Sequence, residues 1–191
     1  HDFISSFGGD LCNLVTADGG FDYSGDYNSQ ESDSYKLLFC EIYIAINIQK
    51  QGGSFLIKFF DIFNYKTIQL IYILFICYRE VNIYKPTTSR LSNSEKYIVC
   101  QGFMGCNREI IDSMSKYYNG GMTIHVPDKF IKELLEYNDQ YVDTQIRTIR
   151  EIISNISCDN DMKPTKEQIK NAKDWCKKYD LPINENCIYN A

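Results

Sequence analysis

Ser54-Phe55-Leu56-Ile57-Lys58-Phe59-Phe60 decides the fold. It is a nearly continuous apolar run of strand length, the pattern of a strand covered on both faces in a parallel sheet, and a single lysine interrupts it. Upstream, Leu37, Leu38, Ile42, Ile44, Ala45 and Ile48 fall at helical spacing between about Asp33 and Gln49, and Gly52-Gly53 supplies the stop. Before that helix, Leu11 to Ala17 is a short apolar run ending in Asp18-Gly19-Gly20, which predicts a strand whose tip carries an acid and then a glycine turn. Downstream, Asn64 caps an apolar helix through Tyr78, Glu80 to Tyr84 reads as a strand, and Tyr97 to Gln101 as another after a polar loop. This alternation indicates an open, mostly parallel α/β sheet with its functional groups at the C-terminal ends of the strands.

After Phe103 the character changes. Asp128 to Ile156 is long, charged and helical, with a break expected near Asn138, and Pro164-Thr165 opens another helix with a Thr165…Gln168 capping box. The chain is accordingly divided into an α/β part, 1–105, and a helical appendage, 106–191. With 191 residues and 44% hydrophobic content it has material for one sizeable core. A formal net charge of -5 argues against a grip on nucleic acid through bulk positive charge, so any RNA contact is expected to be local.

The cysteines form no CxxC pair and the only histidines are His1 and His125, which argues against a zinc site. Several cysteines sit in apolar runs, as in Leu38-Phe39-Cys40 and Phe75-Ile76-Cys77, where a thiol acts as a small buried hydrophobe and suits a reducing compartment. Thr67 to Tyr78, the most apolar segment, is far shorter than the roughly 20 residues of a membrane-spanning helix. No secretory leader is expected, and a start at His1 instead of Met reads as a fragment, a processed product or a trimmed chain.

Lys58 is the most informative residue. A lysine inside Phe-Leu-Ile-Lys-Phe-Phe loses hydration unless acids meet it, and full burial can move a lysine pKa by about 3–5 units. One reading is an edge-strand lysine whose amine reaches solvent. The other is a functional amine flanked by Asp18, just after one strand, and Glu95, just before another. Two carboxylates and a lysine around one point can orient an alcohol and help remove its proton, although the same residues also make a purely structural ion cluster.

Three stretches carry a family resemblance: Leu14-Val15-Thr16-Ala17-Asp18-Gly19-Gly20-Phe21, Gly52 to Asp61, and Lys85-Pro86-Thr87-Thr88-Ser89-Arg90-Leu91-Ser92-Asn93-Ser94-Glu95-Lys96-Tyr97. In order and spacing they resemble successive motifs of FtsJ-like ribose 2'-O-methyltransferases. The Asp-Gly-Gly-Phe form, Asn28-Ser29-Gln30-Glu31 and Asn93-Ser94-Glu95 resemble more narrowly the cap-1 mRNA enzymes of eukaryotes and some large DNA viruses. A weaker likeness runs on through Val126-Pro127, Asn138, Gln145 and Trp175…Leu181-Pro182.

The resemblance implies a partial Rossmann-like methyltransferase sheet, S-adenosylmethionine as cofactor, no metal, and capped mRNA as partner. It implies that Asp18, Lys58 and Glu95 are the second, third and fourth members of a catalytic Lys-Asp-Lys-Glu tetrad. Lys58 would be the proton acceptor, and Asp18 would also touch the cofactor. Asn28, Ser29, Gln30 and Asn93 are expected to contact RNA. Lys85, Ser89 and Arg90 lie in a loop that can hold phosphates or simply be solvated. Phe21 and Tyr23 offer either stacking surfaces or core packing.

The family's first lysine, its glycine-rich cofactor loop and the acid for the cofactor ribose would all precede Asp18. Gly8-Gly9 lies too close to Asp18, with no strand before it, to be that loop. The expectation is therefore an incomplete catalytic region that needs the N-terminal half of the methyltransferase domain, acting in the nucleus, or in the cytoplasm for a viral source. The alternative is a catalytically silent RNA-binding or regulatory subunit.

Overall fold

The computed structural model describes residues 5–6, 11–23, 25–116, 122, 124–157 and 163–188. His1, Gly8 and Gly9, singled out above, lie outside them. In chain order the elements are β1 (Cys12–Ala17), a 3-10 turn (Tyr27–Ser29), α1 (Gln30–Ile48), β2 (Gln49–Phe59), α2 (Tyr65–Cys77), β3 (Tyr78–Tyr84), β4 (Lys96–Phe103), α3 (Arg108–Lys116), α4 (Asp128–Ser157) and α5 (Lys166–Lys178).

The strands form one sheet in the order β1-β2-β4-β3. β1 pairs parallel to β2, while β4 pairs antiparallel to both β2 and β3. Three strands therefore run one way and β4 alone runs back. The expected α/β class is found as a mixed sheet. The reversal of β4 was not foreseen, because a short apolar strand carries no sign of its direction. It matters for the site: the start of β4 lies beside the end of β2, with Phe59 opposite Lys96 and Lys58 opposite Tyr97.

Alternation sets the two faces. Val15, Phe55, Cys100 and Val81 form one cross-strand row, and Ala17, Ile57, Ile98 and Ile83 the next. Both rows belong to a core shared with Leu38, Ile42 and Ala45 of α1 and with Leu70, Ile73 and Leu74 of α2. The opposite face is more open. Leu56 and Lys58 are only half-buried, and Leu14 on β1 is 63% exposed. β2 is thus covered fully on one face, not on both as its composition predicted.

Gly52-Gly53 does not end α1. The helix stops at Ile48, and the chain turns directly into β2 with the Gln49 N–H bonded to the Ala45 carbonyl. Gly52, at φ +80°, sits where the β1–β2 register slips, so it makes a bulge inside the strand, a conformation that glycine adopts without penalty. Asn64 does occupy the N-cap position of α2, but its side chain makes no cap bond. Glu31 substitutes: its Oε1 accepts the N–H groups of Phe63 at 2.9 Å and Asn64 at 2.8 Å.

α3 was not anticipated; its sign is Asn107, whose side chain accepts the Glu109 N–H at 2.9 Å. α4 is continuous, with no break at Asn138, which is 1% exposed. Its first turns pack on α2, with Phe130 5.1 Å from Tyr72 and 5.2 Å from Phe75, ring centre to ring centre.

The chain divides into two compact units, residues 1–148 and 149–191. The second contains the end of α4 and α5, which starts with the expected Thr165–Gln168 capping box. Among the described residues, no helix is long and apolar enough to cross a membrane, and Cys77 and Cys100 are buried free thiols.

Candidate active site

Parallel β1 and β2 deliver their C-terminal ends side by side, and reversed β4 brings its first residues to the same edge. Asp18 follows β1, Lys58 is the penultimate residue of β2, and Glu95 immediately precedes β4. The Lys58 Nζ lies 2.8 Å from Asp18 Oδ1 and also donates to the Asp18 carbonyl at 3.2 Å. The lysine side chain is 14% exposed and the Asp18 side chain 68%, so the amine is held at a rim and not sealed in the interior. The Phe60 ring covers it at 5.6 Å.

Glu95 approaches the pair through Tyr97. Its Oε1 lies 3.4 Å from the Tyr97 hydroxyl and 3.5 Å from Ser89 Oγ. Tyr97 is the residue opposite Lys58, and its hydroxyl is held above the usual phenol range by burial first, then by the charges of Glu95 and Asp18. The structure therefore brings Asp18 and Lys58 into contact, while Glu95 meets Tyr97 and Ser89 and makes no hydrogen bond or ion pair with Asp18 or Lys58 among the described residues.

Glu41 was not singled out from the sequence. Its Oε1 accepts the Gly19 N–H at 3.1 Å, and burial raises its pKa, opposed by that hydrogen bond and by Lys58. The absence of a side chain at Gly19 leaves room for this approach, since a Cβ there would stand 2.8 Å from Leu37 Cδ2 as well as against the Glu41 carboxylate, and both side chains would have to shift. A carboxylate at one helical turn from Leu37 and Leu38, flanked by Cys40 and Ile42, was the available signal.

Of the other expected residues, Asn28 and Arg90 are exposed, and Ser29, Gln30, Ser89 and Asn93 are half-buried. Gln30 Oε1 accepts the Ser94 hydroxyl at 3.2 Å, which ties the start of α1 to the loop before β4. The Lys85 amine spends its hydrogens inside that loop, on Asn93 O at 3.0 Å, Asn93 Oδ1 at 2.9 Å and Glu95 O at 2.8 Å. Tyr23 is core, with its hydroxyl 2.6 Å from Ser34 Oγ, whereas Phe21 is 59% exposed.

Lys96 also escaped sequence reading, although its parity with Ile98 and Cys100 points it at the core. It is 2% exposed, and burial pushes its amine down to about 8, with Asp61 opposing. A pocket of about 370 Å³ opens between the 85–96 loop and α4, lined among others by Lys85, Asn93, Lys96, Tyr141 and Gln145.

A family model described as FtsJ-like methyltransferase matches residues 1–103, which hold the whole sheet and the Asp18–Lys58 pair. The chain belongs to the FtsJ-like methyltransferase family. Curated relatives agree. The chain is 32% identical over 185 residues to cap-specific mRNA (nucleoside-2'-O-)-methyltransferase 1A of Caenorhabditis briggsae, covering 87% of this chain and 21% of that protein. It is 33% identical over 186 residues to cap-specific mRNA (nucleoside-2'-O-)-methyltransferase 2 of Pongo abelii, covering 93% and 24%. It is also 31% identical over 185 residues to a Caenorhabditis briggsae protein named inactive cap-specific mRNA (nucleoside-2'-O-)-methyltransferase 1B, covering 87% and 22%. This FtsJ-like chain thus spans about a fifth to a quarter of the length of these relatives.

Proposed function

We propose that this chain supplies the Asp18–Lys58–Glu95 side of an active site that methylates the ribose 2'-hydroxyl of the first transcribed nucleotide of capped mRNA. The observation that carries the reading is the Lys58 amine held 2.8 Å from Asp18 at the rim where strand ends meet, inside the region matched by the FtsJ-like model. S-adenosylmethionine, when bound, supplies a sulfonium methyl as the electrophile. Asp18 suits that positive charge, being a largely exposed carboxylate at a strand tip. The glycine-rich turn expected of a cofactor cradle would come from the N-terminal half of the domain, lying over the open sheet face and edge at Leu14.

The residues of this chain orient and deprotonate the alcohol. Asp18 fixes the direction of the Lys58 amine, which would accept the 2'-hydroxyl proton as the oxygen bonds to the methyl carbon and the methyl–sulfur bond breaks, with S-adenosylhomocysteine as the leaving group. Glu95, braced by Tyr97 and Ser89, bounds the other side of the ribose. Asn28, Ser29, Gln30 and Asn93 line the approach of the capped RNA, with Ser89 and Arg90 offering local phosphate donors in a chain whose net charge is -5. The setting is the nucleus, or the cytoplasm for a viral source.

A catalytically silent RNA-binding subunit is the second reading, favoured by the resemblance to a relative named inactive. The experiment that separates them supplies the polypeptide, together with its N-terminal half, with labelled methyl donor and two capped RNAs. Label enters RNA with a 2'-hydroxyl on the first nucleotide and not RNA with a 2'-deoxyribose there. Binding of both without label in either supports the silent subunit.

A further inference from the structure

Four consecutive backbone carbonyls before β4 each accept a side-chain donor. Ser92 O accepts from Gln145 Nε2 at 3.3 Å, Asn93 O from Lys85 Nζ at 3.0 Å, Ser94 O from Lys96 Nζ at 3.0 Å, and Glu95 O from Lys85 Nζ at 2.8 Å. Lys85 opens the loop itself just after β3, Lys96 opens β4 two residues beyond Ser94, and Gln145 reaches in from α4. We propose that Lys85, Lys96 and Gln145 form a clamp that positions Glu95, which makes α4 part of the catalytic frame and not an appendage to it. This rests on the reading of Glu95 as an active-site acid.

The physical cost of the arrangement argues for a purpose beyond closing a turn. Turn carbonyls at a surface are ordinarily satisfied by water or by a backbone N–H. Here an ammonium group has been taken out of water to hold a single carbonyl. Lys96 is 2% exposed, makes no ion pair among the described residues, and rests 5.5 Å from the Tyr141 ring. Such a group is expensive to bury, and charge-assisted hydrogen bonds recover part of that cost while fixing geometry tightly.

Lys85 is pre-committed in the same way. An ammonium has three N–H donors, and three oxygens of Asn93 and Glu95 take them. The third arm is fixed to the sheet as well: Tyr141 lies 3.1 Å from the Tyr137 hydroxyl, which donates to the Ile83 carbonyl of β3 at 3.2 Å. The helix bearing Gln145 is thereby registered against the strand that leads into Lys85.

The test uses the whole polypeptide that carries this chain, with capped RNA, and reads kcat and KM separately for Glu95→Gln, Lys85→Met, Gln145→Ala and the double variant Lys85→Met/Glu95→Gln. A misplacement of about an ångström costs about 100-fold. Lys85→Met should therefore lower kcat by roughly 10- to 100-fold with KM for the methyl donor unchanged, and Gln145→Ala should lower it less. In the Glu95→Gln background Lys85→Met should cost little more, because it acts through the residue already removed.

An unchanged kcat in Glu95→Gln refutes the reading of Glu95 itself, and the clamp with it. Impaired Glu95→Gln beside wild-type kcat in Lys85→Met refutes the clamp alone. So does a fully additive double variant, which is what a merely structural role produces. If Lys85→Met does not fold, Gln145→Ala carries the same comparison, and wild-type kcat there overturns the clamp.

Discussion

Replacing Lys96 by Met keeps a long apolar stem in the core and removes the charge at its end. In the folded chain burial lowers this amine from 10.5 to about 8; Asp61 opposes the shift, Lys85 adds to it and Glu31 opposes it. The folded state therefore binds fewer protons than the unfolded state between those two values, and the free energy of unfolding rises with pH across the interval. The whole shift corresponds to about 3 kcal/mol at 1.36 kcal/mol per unit. That penalty is fully present below about pH 8 and gone above 10.5. The variant forgoes it but also loses the charge-assisted hydrogen bond to Ser94 O, a loss of about 2 kcal/mol. Urea unfolding followed by circular dichroism should thus find Lys96→Met more stable than the parent by roughly 1 kcal/mol at pH 7. The advantage should shrink and reverse toward pH 10. A stability difference that stays flat from pH 7 to pH 10 would refute the assignment of a charged, desolvated amine to this position.

Two other substitutions test the local structure that carries the site. Glu31→Ala strips the Phe63 and Asn64 N–H groups of their acceptor, so it should destabilise the chain by about 2–4 kcal/mol, read from the urea midpoint. Gly53→Ala puts a Cβ 2.8 Å from the carbonyl oxygens of Asn13 and Lys50, both backbone and unable to move aside. It should lower the thermal midpoint by an amount equivalent to about 1–3 kcal/mol, whereas Gly25→Ala, with open space around it, should not share the clash.

What could be read from the residues was whatever depends on local periodicity. The apolar run at Ser54–Phe60, the helical spacing before it and the acid after Ala17 all respond to short-range rules, and all three became the elements expected. Strand direction does not respond to such rules. Nothing in Tyr97–Gln101 says that it returns against β2, yet that reversal puts Glu95 at the same edge as Asp18 and Lys58.

Residues whose roles arise across the fold were equally hidden. Glu31 entered only as the last residue of the Asn28–Glu31 stretch, but it satisfies two N–H groups that lie 32 and 33 positions away. Gln145 lay in a region set apart as an appendage, and its amide meets Ser92 across 53 positions. The Gly52-Gly53 pair was misread for a related reason: glycine marks positive φ without saying whether a helix ends there or a strand bulges.

The central claim is that the amine of Lys58 removes a proton from the sugar hydroxyl during methyl transfer. A single-turnover measurement with the complete methyltransferase region, saturating methyl donor and capped RNA isolates that step for Lys58→Ala. Loss of a positioned general base predicts a rate lower by about 100-fold or more, with RNA binding retained. A single-turnover rate equal to that of the parent would contradict the account.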